Sequence, residues 1–320
     1  MAEVSLKTNF NKNISLKEFH NRKNNVLIHR VCGGLGDILM HRMLFEDMKK
    51  LDPEINITFS CLEKYFDAVK DHPYIDNIIN CKISDEEIYK QYGMHYNTSA
   101  VCDRFERGQA PYVDTHRSDI WALRCGLELK NHEMHINLSE KEIQFGRNWT
   151  KERNHSSQKT VGLFTVSAMP SKNLNEIQIK TIIKYLKENN YFICSSHYEA
   201  IEYMEEIPTL INPNTREWMS LINALDYVIS VDTAAFHCAG GMKKKTMGIF
   251  SWADGYVYGK YYPNTIITQL HRNTHPEWTC GPCYRWNECP FVEKGNNNKP
   301  CLTKISEDML INSMKKLLTI

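Results

Sequence analysis

Long apolar runs are missing from this 320-residue sequence. None approaches the ~18 residues that a membrane-spanning helix needs. Met1–Asn25 is polar and has no apolar core of the signal-peptide kind, so a reducing cytoplasm is the expected location. An excess of charge is missing too: 39 Lys and Arg face 38 Asp and Glu, a net charge of +1. That leaves no electrostatic footprint for nucleic acid or an anionic membrane as the main partner. The dinucleotide fingerprint G-x-G-x-x-G is absent as well. Where it would stand, after the first strand-like run, the chain reads Cys32-Gly33-Gly34-Leu35-Gly36-Asp37. A nicotinamide-dependent dehydrogenase or epimerase is therefore disfavoured.

What is present is the composition of a globular chain, 42% hydrophobic and 24% charged, with length enough for two domains. Asp226–Phe250 organises the rest. Tyr227–Val231 is a β-branched run of buried-strand type, and it ends on Asp232-Thr233. A helix of small residues follows from Ala234 to about Met242, closed by Gly240-Gly241, and Thr246–Phe250 starts the next strand. Strand, polar turn and helix N-terminus together aim free N–H groups and a positive dipole end at an anion.

The same plan recurs along the chain. Strands are expected at Asn25–Val31, Ile55–Cys61 and Asn77–Asn80, with helices over Ile38–Lys50 and Glu63–Lys70. Alternating β and α segments predict a parallel sheet. Ser84–Arg107 reads as a helix with long loops, and Ser118–Cys125 as a helix ending at Gly126. Arg104, Arg107, His116, Arg117 and Arg124 are candidates to line an acceptor site, with solvated helix faces as the alternative. Lys141–Lys159 is the expected linker. Beyond it, strands at Thr160–Val166, Tyr191–Ser195 and Thr209–Ile211 alternate with helices at Leu174–Asn189, His197–Glu206 and Glu217–Leu225, and Ser306–Leu318 is a final helix. The expectation is two α/β domains, residues 1–152 and 153–320, facing a cleft.

Four of the eleven cysteines crowd together as C-x2-C-x5-C-x11-C, at Cys280, Cys283, Cys289 and Cys301. The first pair has the spacing of a thiolate knuckle, and the intervening segment is too poor in aliphatic residues to hold a shape by burial. A structural metal, zinc on general grounds, is preferred over idle thiols or disulfides. Four thiolates leave no open coordination position, so the site is expected to be structural. Trp278, Arg285 and Trp286 surround it in sequence and are candidates to touch a partner.

Three segments carry a resemblance. Gly33–Leu39 is similar to the glycine–aspartate turn of the heptosyltransferase-like glycosyltransferases, family nine, which have a GT-B fold. Val231–Ala239 resembles their Asp-Thr-Gly-x-x-His-x-Ala signature, with Ala234 in place of the usual glycine. Ser167–Leu174, with Lys172, stands where that family has a Ser/Thr turn and a lysine. The resemblance implies two Rossmann-like domains and inverting transfer of a sugar from a nucleotide-diphosphate donor without a catalytic metal.

An acceptor hydroxyl needs a base, and Asp37 is assigned that role, with capping of the following helix as the alternative. The leaving diphosphate needs preorganised positive charge. Lys172, Asp232, Thr233, Ala234, Ala235 and His237, with Gly34, Leu35 and Gly36 across the cleft, are the expected donor-binding set. The autotransporter-modifying members carry a similar four-cysteine element that binds iron, which keeps zinc and iron both open. The acceptor is expected to be large: lipopolysaccharide core, protein or a modified DNA base. A non-catalytic GT-B-fold binding or assembly protein is the alternative.

Overall fold

Apolar β-branched runs alternating with amphipathic helices build two parallel sheets. The computed structural model describes residues 24–82, 86, 90–285, 289–293 and 296–319. The expectations for Met1–Lys23 and Trp286 lie outside the described residues. The first sheet contains β1 (Asn25–His29), β2 (Asn56–Cys61), β3 (Asn77–Asn80) and β4 (Met94–Asn97) in the order β3-β2-β1-β4. The second contains β5 (Thr160–Phe164), β6 (Phe192–His197), β7 (Thr209–Ile211), β8 (Tyr227–Val231), β9 (Lys245–Ile249) and β10 (Thr265–Thr268), in the order β10-β9-β8-β5-β6-β7. Every pairing in both sheets is parallel. β1 and β8 are central, and their residues Val26–Ile28 and Val228–Val231 are buried on both faces, which is what continuous apolar strands of a covered parallel sheet require.

The strand orders place the functional end of the molecule. β2 and β3 run outward from one side of β1, and β4 returns on the other side. β6 and β7 leave one side of β5, and β8 to β10 leave the other. Each sheet therefore has a switch point, at β1/β4 and at β5/β8, and ligands of open α/β sheets bind in the crevice beyond the strand ends there.

In the first half, α1 (Leu35–His41) runs through a 3-10 turn at Arg42–Leu44 into α2 (Phe45–Leu51), where the sequence predicts one helix. α3 (Val101–Gln109) and α4 (Arg117–Arg124) follow β4. α5 (Glu140–Lys151) closes the first half, and the second adds α6 (Glu176–Glu188), α7 (Thr215–Ala224), α8 (Ala234–Gly241), α9 (Gly255–Tyr258), α10 (Pro300–Thr303) and α11 (Glu307–Thr319). One continuous apolar cluster runs from Ile28 and Leu39 through Trp121 to Leu221, Phe236 and Tyr258, so both halves share a core. A second cluster covers the far face of the second sheet, where Ile182 and Leu186 of α6 and Leu310, Met314 and Leu317 of α11 pack on Val161, Ile229 and Met247.

Three expectations are corrected. Lys141–Lys159, read as a linker, is largely α5. Ser139 and Glu142 cap it reciprocally, with Ser139 N–H donating to Glu142 Oε2 at 2.7 Å. Its charged face lies outward, which hid the buried face that Gly146, Trp149 and Thr150 present. His197–Glu206, read as a helix, is instead the last residue of β6 followed by a succession of bends and turns. Buried Ile201, Met204 and Ile207 imitate a helical face, but Glu199, Glu202, Glu205 and Glu206 would set like charges three and four residues apart on a helix. β4 (MHYN) and β10 were not expected as strands at all. β4 is a short strand without β-branched residues, held by its register with β1.

Arg216 of α7 ties the halves together away from the strand ends. Its guanidinium donates to Glu142 Oε1 (2.7 Å), Asp71 Oδ1 (2.9 Å) and the Asn137 carbonyl (2.6 Å), while Arg42 takes Asp71 Oδ2 at 2.9 Å. Hydrogen bonds from Arg216 hold the Glu142 carboxyl down to about 2. The stability it contributes is complete above its ordinary 4.5 and is lost as pH falls toward 2. In urea titrations between pH 6 and 3, wild type therefore loses stability on acidification, and Glu142→Gln starts less stable and loses less. α5 and α7 also cross so closely that a Cβ at Gly146 would meet the Ser220 carbonyl. Gly146→Ala should cost ~1–3 kcal/mol, the usual penalty for overpacking, read from the same titration.

Candidate active site

Asp37 stands on the first turn of α1, at the end of β1. Its carboxylate is clamped. Arg117 Nη1 donates to Oδ1 at 2.7 Å, Arg30 Nη2 reaches Oδ2 at 3.1 Å, and the Gly34 N–H donates to Oδ2 at 3.3 Å. Burial alone would raise its pKa; the charges of Arg117 and Arg30 outweigh burial and hold the carboxyl far below the usual range. The turn that allows this needs glycine. Gly33 has φ +103°, and a Cβ there would fall on Arg30 Nη2 and Asp37 Oδ2.

A second layer fixes the clamp. Arg117 also forks onto Glu106, with Nε and Nη2 each 2.7 Å from an oxygen of that buried carboxylate. Arg30 lies 4.8 Å above the Trp121 ring centroid and donates to the Thr98 carbonyl at 3.1 Å. His41 Nδ1 donates to the Asp37 carbonyl at 2.8 Å, because a carbonyl can only accept, and its Nε2 faces Thr98 Oγ1 at 3.0 Å. Burial, and then Arg30, push the His41 pKa well down, so its ring is neutral.

The opposite lip is built on the second sheet. Asp232 and Thr233 follow β8, and Thr233 is the N-cap of α8 in extended conformation, with no side-chain cap on the helix N–H groups. Lys172, in the 3-10 turn Pro170–Lys172 after β5, pairs with Asp232 Oδ2 at 2.6 Å. Its ammonium lies 4.7 Å from the centroid of the Trp252 ring. An ammonium and an uncapped helix N-terminus thus converge at the β5/β8 switch point.

The two lips touch. A Cβ at Gly36 would come within 2.9 Å of His237 Cδ2 and 3.6 Å of Ala234 Cα, so α1 and α8 meet at their N-terminal ends. His237 is buried between them, with Nδ1 2.9 Å from the Tyr262 hydroxyl. Burial brings its pKa down to about 4, and Asp232, Asp37, Arg117 and Lys172 all act on it electrostatically. Of the residues expected at the site, Gly36, Ala234 and His237 meet here, and Lys172 pairs with Asp232 at the end of β8. Gly36 lies at a helix–helix contact, and Gly34 is the N-cap of α1.

Among the acceptor candidates, His116 is buried, caps α4 by accepting from the Ser118 N–H, and packs edge-on to Tyr261. Arg117 belongs to the Asp37 clamp. Arg104 and Arg124 are exposed helix residues, each donating to a nearby backbone carbonyl, Ala100 and Asn97. Sequence reading missed Arg30, Glu106, Trp252 and Tyr258. Only the position of Arg30 directly before the glycine turn marks it in the sequence.

Cys280, Cys283, Cys289 and Cys301 line one pocket with Trp252, Trp278 and Lys299. Burial, then the nearby Cys283, Cys280 and Cys289, push the Cys301 thiol up to about 12. Four thiols on one pocket are the donor set of a tetrahedral zinc or iron site. Among the described residues, though, no group of three or more His, Cys, Asp or Glu side chains is arranged to hold a metal ion. Nor is any helix among them long and apolar enough to cross a membrane.

No curated protein matches the sequence significantly. Solved structures do share the fold. A glycosyltransferase family 9 protein from Veillonella parvula aligns over 93% of this chain and 98% of its own, at 15% identity and TM-score 0.69. The ADP-heptose LPS heptosyltransferase II of E. coli aligns over 92% and 98%, at 13% and 0.65. TibC, the iron-containing dodecameric glycosyltransferase of enterotoxigenic E. coli, aligns over 93% and 77%, at 14% and 0.69. These neighbours make the two-sheet architecture GT-B-like. The family model of glycosyltransferase family 9 (heptosyltransferase) matches residues 102–281, more than half of the chain, and this makes the protein a nucleotide-sugar glycosyltransferase that belongs to family 9.

Proposed function

We propose that the enzyme transfers a sugar with inversion from a nucleoside-diphosphate donor to a hydroxyl of a large acceptor: a glycolipid, a protein or a modified DNA base. The observation that carries this is the meeting of α1 and α8, which sets a clamped carboxylate opposite an uncapped helix N-terminus and a lysine. Residues 1–152 present the acceptor and residues 153–320 the donor. ADP-heptose, the nucleotide sugar of the similar E. coli heptosyltransferase II and of a TibC complex, is the first donor to try.

The acceptor hydroxyl attacks the anomeric carbon as its bond to the diphosphate breaks, and Asp37 receives the hydroxyl proton. Its pairing with Arg117 and Arg30 keeps it ionised throughout the working pH range and fixes the direction of its oxygens. Charge accumulates on the departing diphosphate. Lys172 and the N–H groups of Thr233, Ala234 and Ala235 offset that charge from fixed positions, at little reorganisation cost. Asp232 holds Lys172 ready, and neutral His237 packs the joint. No catalytic metal takes part in this scheme. Drawn together on their shared pocket, Cys280, Cys283, Cys289 and Cys301 would hold a structural zinc or iron and so stabilise the segment beside Trp252.

A thermal-shift screen across nucleoside diphosphates identifies the donor base, since a ligand bound only by the folded state raises Tm. Release of nucleoside diphosphate from the matching sugar then reads turnover. Asp37→Asn should lower kcat roughly 100- to 10,000-fold, the range for a general base; full activity in this variant removes the base assignment. Lys172→Ala should weaken nucleoside-diphosphate binding by ~1.5–3 kcal/mol by calorimetry, and unchanged affinity removes Lys172 from the phosphate site. Elemental analysis should find about one zinc or iron per chain, with Cys283→Ser lowering both metal content and Tm. Metal-free protein of full stability refutes the site.

A further inference from the structure

The clamp on Asp37 is not complete within the half that carries it. Asp37, Glu106 and Arg117 stand on α1, α3 and α4, all attached to the first sheet. Glu106 is only 1% exposed, and an ionised carboxylate so buried needs donors on both oxygens. Arg117 supplies one to each. The remaining donor is the Tyr258 hydroxyl, 3.0 Å from Glu106 Oε1. Tyr258 belongs to α9, beyond β9 of the second sheet, and its ring also lies 5.1 Å from the Arg117 guanidinium carbon. Both contacts cross between the halves.

α9 is held firmly from its own side. Asp254 caps it by accepting from the Tyr256 and Val257 N–H groups, and is itself held by His271 Nε2 at 3.0 Å. The Gly255 N–H donates to Gln269 Oε1 at 3.0 Å. The second half therefore sets the position of Tyr258. Joining the halves does not depend on it, because the Arg216 cluster and the shared apolar core already do so. What Tyr258 adds is a contact to the group that orients the carboxylate.

We propose that Tyr258 is a positioning residue for sugar transfer. Through Glu106 it completes the Arg117 clamp, so that Asp37 is aimed only while the two halves are docked. This rests on Asp37 being the base. Undocking removes the phenol from Glu106, loosens the fork between Glu106 and Arg117, and lets the Arg117–Asp37 contact shift. The base is thereby set aside when the donor side is open, which limits futile transfer to water.

The test reads the clamp directly. In the full-length chain labelled with 15N-arginine, the Arg117 Nε–H is assigned by its loss in Arg117→Lys, and its proton exchange is measured. Tyr258→Phe keeps the ring and removes the hydroxyl. It should speed that exchange several-fold, up to about tenfold for one lost hydrogen bond, and leave the Arg42 and Arg216 Nε–H rates unchanged. Glu106→Gln should do the same. Under turnover, Tyr258→Phe should lower kcat and leave the KM for the nucleotide sugar in place. Arg117 exchange at the wild-type rate in Tyr258→Phe overturns the proposal, as does acceleration of all three arginines together, which marks general loosening. Retained transfer by Asp37→Asn instead overturns the base assignment, and the exchange experiment detects the clamp independently of that result.

Discussion

A carboxylate taken out of water stays charged only where other groups supply what the water did. At Asp37 two arginines and a backbone N–H do this, and much of the N-terminal architecture follows from holding those arginines. Arg30 needs Trp121 beneath it and the Thr98 carbonyl in front. Arg117 needs Glu106, and Glu106 in turn needs a phenol from the other half. Each buried charge calls for the next partner, and the sequence of partners ends only on the second sheet. The buried network ties an otherwise divisible chain together beyond the end of β1.

The second tie, Arg216 with Asp71 and Glu142, works by the same rule in a different place. It sits among α7, α5 and the segment that joins the halves, away from the crevice. One tie orients the Asp37 carboxylate and the other fixes the joint. Between them lies the contact of α1 with α8, where the side chains are small enough for backbone to approach side chain directly.

Much of this was legible in the sequence because it rests on local chemistry. The β-branched runs of β1, β5 and β8 could be nothing but buried strands. The glycine turn before Asp37 and the Asp232-Thr233 turn were found because each follows such a strand, and Lys172 through its resemblance to the family's lysine-bearing turn. Glu106 and Tyr258 were beyond reach for the opposite reason, and Arg117, singled out only as an acceptor-side candidate, could not be assigned to the clamp. Their meaning comes from contacts between residues 37, 106, 117 and 258, and nothing in the flanking sequence distinguishes them from solvated residues. α5 was misread because charge on its outer face outweighed a capping pair whose significance shows only when Trp149 is seen to be buried. The cysteines were legible as a group; the structure adds that their pocket shares Trp252 with the lip that carries Lys172.

The joint at Gly36 leaves no space for even one methyl group between the helix ends. With the donor placed as proposed, spent nucleotide leaves by the rim or as the lobes swing apart. By the second route release is a hinge movement with its own clock, and such movements set the pace of many enzymes whose bond-making is fast.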